Sequence, residues 1–260
     1  MKILFIGDVF AKPGREAVKS FLPGMRREMG IDFVIANIEN MTHGKGFHPD
    51  QVAEMTSVGV DFCTSGNHAW GDRNGVLKLS DPDFPVIRPA NYPTACPGRG
   101  YTILNCGDFK IGIINLMGRV FMKDDLNCPF LAFDEIYKVF EEQKVRVVFV
   151  DLHAETTSEK VAFGHYVNGR ASVVVGTHTH VQTNDAQILS GGTAYLTDAG
   201  FTGDRDSVIG MRKEGVIQQF LTQMPQKHEP AEGKGMMNGM IVEIDEATGK
   251  AKNIKTFSVI

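Results

Sequence analysis

Short apolar runs alternate with longer stretches of helical spacing through the first two-thirds of the chain. Residues 2–6 (KILFI), 32–38 (DFVIANI) and 60–64 are apolar nearly throughout and predict strands buried on both faces. Between them, residues 15–29 and 49–58 carry helical spacing. Pro13 suits the first turn of the former helix, and Pro23-Gly24 predicts a kink or break within it. A helix over 72–79 follows, then strands around Val86-Ile87 and over 101–104 and 110–116. A helix over 133–143 leads into the strongly apolar strand 145–150, and one over 157–167 leads into the strand 171–175. The last third is richer in strands, at 186–189, 193–196, 240–244 and 251–257, with a helix around 216–221 between them. The polar, Gly- and Pro-bearing segment 223–239 predicts an exposed excursion.

Continuous apolar strands between amphipathic helices predict sheets covered on both faces. The strand-rich tail adds a second sheet packed on the first. The expected architecture is therefore an α/β four-layer αββα sandwich of two mixed sheets, rather than a plain doubly wound sheet. No linker-like run and no internal repeat divides the chain, which predicts one domain over residues 1–260. A chain of this length buries roughly 75% of its unfolded surface, enough for a core without staples.

Composition narrows the function classes. The net charge of −4 and pI near 6.1 give no electrostatic footprint for long nucleic acid or acidic membranes. A small anionic substrate stays open, because metal ions supply a local positive field. The four cysteines fall at no metal-type spacing, and Cys63, within an apolar run, reads as a reduced core thiol. The N-terminal run meets Asp8 too soon for a signal peptide, and no apolar run approaches the roughly 20 residues that span a bilayer. These features predict a cytoplasmic protein with no membrane partner.

Chemistry concentrates where the predicted strands end. Gly176-Thr177-His178-Thr179-His180 sits directly behind the strand 171–175, and imidazole is the commonest metal ligand near neutral pH. Asp8, Glu39-Asn40, Asn67-His68 and His153 lie at the carboxyl ends of four other strands, with Asp151 beside His153. Open α/β sheets bind ligands at those ends. Mixed imidazole, carboxylate and amide donors without cysteine suit iron, manganese or zinc. Asp8, Glu39, Asn67, His153, His178 and His180 are too many for one tetrahedral ion, so two ions sharing a bridging carboxylate fit better, at roughly 3.5–4 Å. Such a pair clamps a phosphoryl group and activates a bridging water as hydroxide, with no Ser or Cys nucleophile required. His68, beside Asn67, is placed to act as general acid on the leaving oxygen.

In these residues the chain resembles the calcineurin-like metallophosphoesterase superfamily, through Gly7-Asp8, Gly66-Asn67-His68, His153 and Gly176-Thr177-His178-Thr179-His180. Two departures stand out: Phe10 occupies the place of the first-motif histidine, and Glu39 that of the bridging aspartate. Both are similar to the bacterial YmdB-type branch, as are Pro13-Gly14-Arg15, Ala69-Trp70, Glu155, Thr157-Ser158-Glu159-Lys160 and Thr197-Asp198-Ala199-Gly200. The resemblance covers nearly the full length. It implies a dinuclear phosphodiesterase acting on 2′,3′-cyclic nucleotides, with iron as the first choice of metal and manganese the second. It further implies that Asp8 and His180, assisted by Asn40, hold one ion and Asn67, His153 and His178 the other. Glu39 would then bridge and His68 donate the proton.

Substrate contacts are less sharply indicated. His43 and Lys45, in the loop 42–46, can meet phosphate or base, or can simply be a solvated turn. Arg119 and Arg170 can touch phosphate, yet also suit structural ion pairs, and Trp70 can stack on a base or pack. Alternative substrates are RNA ends, phospholipid headgroups or phosphoproteins, and a non-catalytic nucleotide sensor is the reading from another class. Apolar strands in the final third leave room for a homo-oligomer.

Overall fold

The structure, a computed structural model, describes residues 1–107 and 109–260. Its first sheet holds β1 (Lys2–Ile6), β2 (Phe33–Asn37) and β3 (Phe62–Thr64) in parallel, followed on the other side by antiparallel β11 (Gly235–Ile244). β12 (Ala251–Val259) and the short β10 (Gly203–Asp204) pair with β11. The second sheet runs β4 (Tyr101–Cys106), β5 (Phe109–Met117), β6 (Val147–His153), β7 (Val173–Thr177), β9 (Ala194–Leu196), β8 (Gln187–Ile188). Its four central strands are parallel and its two edges antiparallel.

Strand parity builds the layers. Successive side chains point to opposite faces, so Ile3 and Phe5 of β1 and Phe33 and Ile35 of β2 face the second sheet. There they meet Ile111, Ile113, Val147, Phe149, Val173 and Val175. Leu4, Ile6, Val34 and Ala36 turn the other way, onto α1 (Ala11–Met29) and α2 (Pro49–Ser57). On the outer face of the second sheet, Ile114, Leu116, Val148, Val150 and Val174 pack on α4 (Pro129–Glu142) and α5 (Thr157–Tyr166). The order helix, sheet, sheet, helix is the expected αββα sandwich of two mixed sheets. The short α3 (Arg73–Lys78) lies outside these contacts, and α6 (Lys213–Thr222) buries only Val216.

Several boundaries differ from the sequence expectation. α1 runs unbroken through Pro23, which is exposed, so water can satisfy the carbonyl that loses its donor there. α4 begins at Pro129, because proline at the first turn forfeits no hydrogen bond. Val86 makes an isolated bridge to Cys63 instead of a strand. The segment 223–239 is an excursion only in part: residues 235–239 belong to β11, where Met237 and Asn238 are buried between β10, β1 and β12.

The most consequential difference is in β6, which continues to His153. The parity that sends Val147 and Phe149 between the sheets therefore sends Asp151 and His153 there too. Asn37, Thr64, Asn115 and Thr177 occupy the same parity at the ends of β2, β3, β5 and β7. The inter-sheet layer thus changes from apolar to polar at its carboxyl-end margin.

Candidate metal centre

Asp151 anchors that polar margin. Its buried carboxylate accepts from Asn37 Nδ2 at 2.9 Å and Thr177 Oγ1 at 2.7 Å, and also from Thr64 Oγ1. Burial raises its pKa, against the pull of those hydrogen bonds and of His153. With its oxygens so engaged, Asp151 belongs to the support of the site, not to the group of converging donors where the sequence had set it beside His153. Because the Thr177 hydroxyl donates to Asp151, it accepts from His153 Nδ1 at 2.9 Å, which leaves Nε2 of His153 facing inward.

The other two imidazoles are keyed in the same way. His178 Nε2 lies 3.0 Å from Glu155 Oε2, so Nδ1 faces inward, 3.1 Å from His153 Nε2. His180 Nδ1 donates to the Ile209 carbonyl at 2.9 Å, which turns Nε2 towards Asn40 Nδ2 at 3.2 Å. A carboxylate or carbonyl fixing the far nitrogen is the usual support of a metal-bound histidine. Both His178 (φ 98°) and His180 (φ 65°) sit in left-handed backbone, unusual for residues with a Cβ.

Carboxylates complete two groups. Glu39 Oε2 is 3.2 Å from His153 Nε2 and accepts from the His68 backbone N–H at 3.0 Å. Glu39 with His153 and His178 forms one group of donors within 4.8 Å of one another, and Glu39 with Asp8 and His180 forms a second. Asn67 Oδ1 joins the first group, 2.8 Å from His153 Nε2. Asn40 Nδ2 lies 2.8 Å from Glu39 Oε1, beside the second. Gly66 is obligatory here, since a Cβ would stand 2.4 Å from Glu39 Oε2 and 2.5 Å from His153 Nε2.

The electrostatics suit cations. Asp8 is fully buried; its Oδ2 accepts from the His178 N–H at 3.2 Å, while Oδ1 has no hydrogen-bond partner among the described residues. Burial first, reinforced by Glu39, Asp198 and Asp151, drives the Asp8 pKa well up against the opposing pull of His153. Burial also opposes ionisation of Glu39, but the charge and hydrogen bond of His153, with those of His68, hold its pKa well below the ordinary value. His153 rises to about 9 because Glu39, Asp8 and Asp151 outweigh its desolvation. Burial and the neighbouring His153 push His178 down to about 3, and burial lowers His180. Two neutral imidazoles, a buried carboxylate pair and an orphaned Asp8 oxygen make a donor set that fits metal ions.

His68 stands at the rim with its side chain 32% exposed. Its Nδ1 is 2.9 Å from Asn40 Oδ1 and 3.2 Å from Glu39 Oε1. Phe10, in the place of the first-motif histidine, packs edge-on to His180 at 5.8 Å, and Phe201 stacks on the same ring at 5.5 Å. Aromatic packing thus fills that side of the imidazole. His43 lines a groove of about 850 Å³ with Lys12 and Arg212, which shares no residue with the metal-type donors. Lys45 is exposed, and Arg119 is fixed through its backbone N–H, 3.0 Å from Glu159 Oε1. Arg170 pairs with Asp134 at 2.6 Å and lies over the Tyr166 ring, so it is structural. Trp70 packs edge-on against Tyr92, centroids 5.1 Å apart.

Comparison with known proteins gives the family and the fold. The YmdB-like protein family matches residues 4–257. A Bacillus subtilis relative named 2′,3′-cyclic-nucleotide 2′-phosphodiesterase is 43% identical over 98% of this chain and 96% of its own length. The crystal structure of a hypothetical protein from Thermus thermophilus superposes with a TM-score of 0.92 at 42% identity, covering 99% of this chain and 98% of that one. A crystal structure described as a novel phosphatase from Mycoplasma pneumoniae also gives 0.92, at 32% identity, over 100% of this chain and 93% of that one. With the family matched over nearly every residue, this chain belongs to the YmdB-like proteins.

Proposed function

We propose that this chain is a dinuclear metal-dependent phosphodiesterase of the cytoplasm, one catalytic unit over its full length, acting on small phosphodiesters and first on 2′,3′-cyclic nucleotides. The observation that carries the reading is Glu39, the one carboxylate common to two converging donor groups, with His68 beside it. In this reading Asp8 and His180, with Asn40 alongside, hold one ion; Asn67, His153 and His178 hold the other; Glu39 bridges. Iron is the first choice and manganese the second, since Phe10 leaves one position short of a nitrogen ligand. When bound, the ions supply Lewis-acid charge for the phosphoryl oxygens and acidify the attacking water.

The chain's own residues supply orientation and the proton. Glu39 and Asn40 hold His68 by Nδ1, which leaves Nε2 as the nitrogen that delivers a proton to substrate. As the attacking water forms a new P–O bond and releases a proton to solvent, the bond to the ribose 2′ oxygen breaks and the proton from His68 neutralises that leaving alkoxide; solvent then reprotonates His68. The product is a 3′-phosphate with a free 2′-hydroxyl. The 2′ assignment draws on the name of the Bacillus subtilis relative. Four free cysteines suit a reducing compartment.

Hydrolysis of 2′,3′-cyclic, 3′,5′-cyclic and linear diesters under iron and manganese, with product positions assigned, tests the substrate. Preference for the 2′,3′-cyclic compounds is expected, and equal rates across all three remove it. Metal analysis should find close to two ions per chain; one or none overturns the dinuclear reading.

A further inference from the structure

Behind the two-histidine loop lies a buried ion pair that the proposed chemistry leaves without a task. Lys160 is 1% exposed and Asp198 fully buried, with Lys160 Nζ 2.7 Å from Asp198 Oδ2. The lysine stem passes beside Gly176, where a Cβ would come within 2.9 Å of Lys160 Cδ and 1.8 Å of the Thr197 carbonyl oxygen. The same carboxylate oxygen accepts from Thr179 Oγ1 at 2.7 Å and from the Thr179 N–H at 3.2 Å. Its Oδ1 takes the Gly200 N–H at 2.8 Å.

Thr179 is the residue between His178 and His180, and both neighbours occupy left-handed backbone. Such conformations persist where surrounding contacts over-determine them. Asp198 makes those contacts at the midpoint of the loop, through one backbone and one side-chain bond. A buried ion pair is weak evidence for stability, because an apolar pair of similar volume often serves a fold as well. Its geometry here points instead at the loop.

We propose that Asp198, braced by Lys160, is the positioning carboxylate of this loop, holding Thr179 so that His178 and His180 diverge towards two different ions. The proposal rests on the two-metal reading above. Lys160 reaches it from α5, which packs on the second sheet, and Asp198 from the turn after β9, so a helix and a strand-end turn together set the spacing of the two histidines. Neither residue touches the donors' inward nitrogens, so both act through Thr179.

The test uses Thr179→Val, which keeps shape but deletes the hydroxyl at a half-buried position, with Thr179→Ser as the rescue and Lys160→Met as a second probe. Manganese binding to the metal-free chain is measured by calorimetry, and the spin-coupled signal of adjacent ions by electron paramagnetic resonance. Thr179→Val should bind manganese about 10–100-fold more weakly, as loss of an outer hydrogen bond to a metal site typically does. It should also lose the coupled signal, with the thermal midpoint of the metal-free chain unchanged, and Thr179→Ser should restore both. Wild-type affinity and coupling in Thr179→Val would overturn the proposal. So would a Lys160→Met chain that melts earlier without weaker manganese binding. If the wild-type chain itself shows no coupled pair, the two-metal reading falls and the proposal with it; normal wild-type behaviour beside an unaffected Thr179→Val rejects the positioning role alone.

Discussion

Removing the Glu39 charge should collapse the unusual basicity of His153. In the metal-free chain His153 is fully buried, and burial alone lowers its pKa; the Glu39 carboxylate 3.2 Å away is the largest opposing influence, ahead of Asp8 and Asp151. The balance places His153 at about 9 instead of the ordinary 6.5, an excess of about 3 kcal/mol in favour of the charged ring. Because the folded pKa is the higher one, the folded state holds a proton that the unfolded chain releases first. The resulting stabilisation is complete below 6.5 and is lost as pH rises through about 9. Asp8, also raised, acts in the same direction, whereas Glu39, held low, acts oppositely and loses its contribution as pH falls below the ordinary carboxylate range, so the weakening expected from His153 is read above that range, towards alkaline conditions. Glu39→Gln preserves shape and removes the largest counter-charge, and desolvation should then pull His153 down from about 9, against the remaining Asp8 and Asp151. Nuclear magnetic resonance of histidine Cε1–H signals in metal-free wild-type and variant chains reads both values directly. A His153 that titrates near 6.5 in the wild-type chain, or that stays near 9 in Glu39→Gln, refutes the electrostatic account of the site.

Three further outcomes follow from the geometry. His68→Ala should lower kcat by roughly 10²–10⁴-fold with metal content intact, checked by turnover and metal analysis on the same preparation; unchanged turnover removes His68 as proton donor. Gly66→Ala places a Cβ 2.4 Å from Glu39 Oε2, so the donors must separate and metal content should drop while far-ultraviolet circular dichroism stays native. Phe149→Ala empties the layer between the sheets, where the ring sits 5.4 Å from Phe5, and should cost about 3–5 kcal/mol in urea unfolding.

Much of this architecture is legible along the chain because one physical signal repeats. Runs such as 2–6 and 145–150 are apolar at both parities, and only a strand covered on both faces needs that. Donors at the ends of such runs are then neighbours in space, which is why Asp8, Glu39, Asn67, His153, His178 and His180 could be grouped before any geometry. Boundaries were harder wherever polar side chains continue a strand. Asp151 and His153 read as loop by composition, yet ladder pairing with β5 and β7 keeps them extended. The parity of Val147 and Phe149 was the signal that could have found them. Residues 235–239 (GMMNG) were missed because glycine and asparagine break the apolar run there, and β10, which pairs with Gly235 and Met236, is only two residues long.

The supports of the site lie beyond any pattern in one dimension, and their chemistry explains why. His180 is fixed by the carbonyl of Ile209, a backbone atom that every residue carries, so no residue type announces it. Asp198 and Thr179 meet across the end of a sheet, and Glu155 meets His178 from the neighbouring strand end. A ligand must be of one chemical kind at one place, whereas its support needs only a hydrogen-bond acceptor within reach. The inner donors were therefore readable from residue type and the outer ones only from distance. That division also ranks the expected consequences of mutation. On the proposed two-metal reading, changing an inner donor should alter how many ions bind, while changing an outer partner such as Thr179 should alter how tightly they bind, and the two outcomes separate in a single manganese titration.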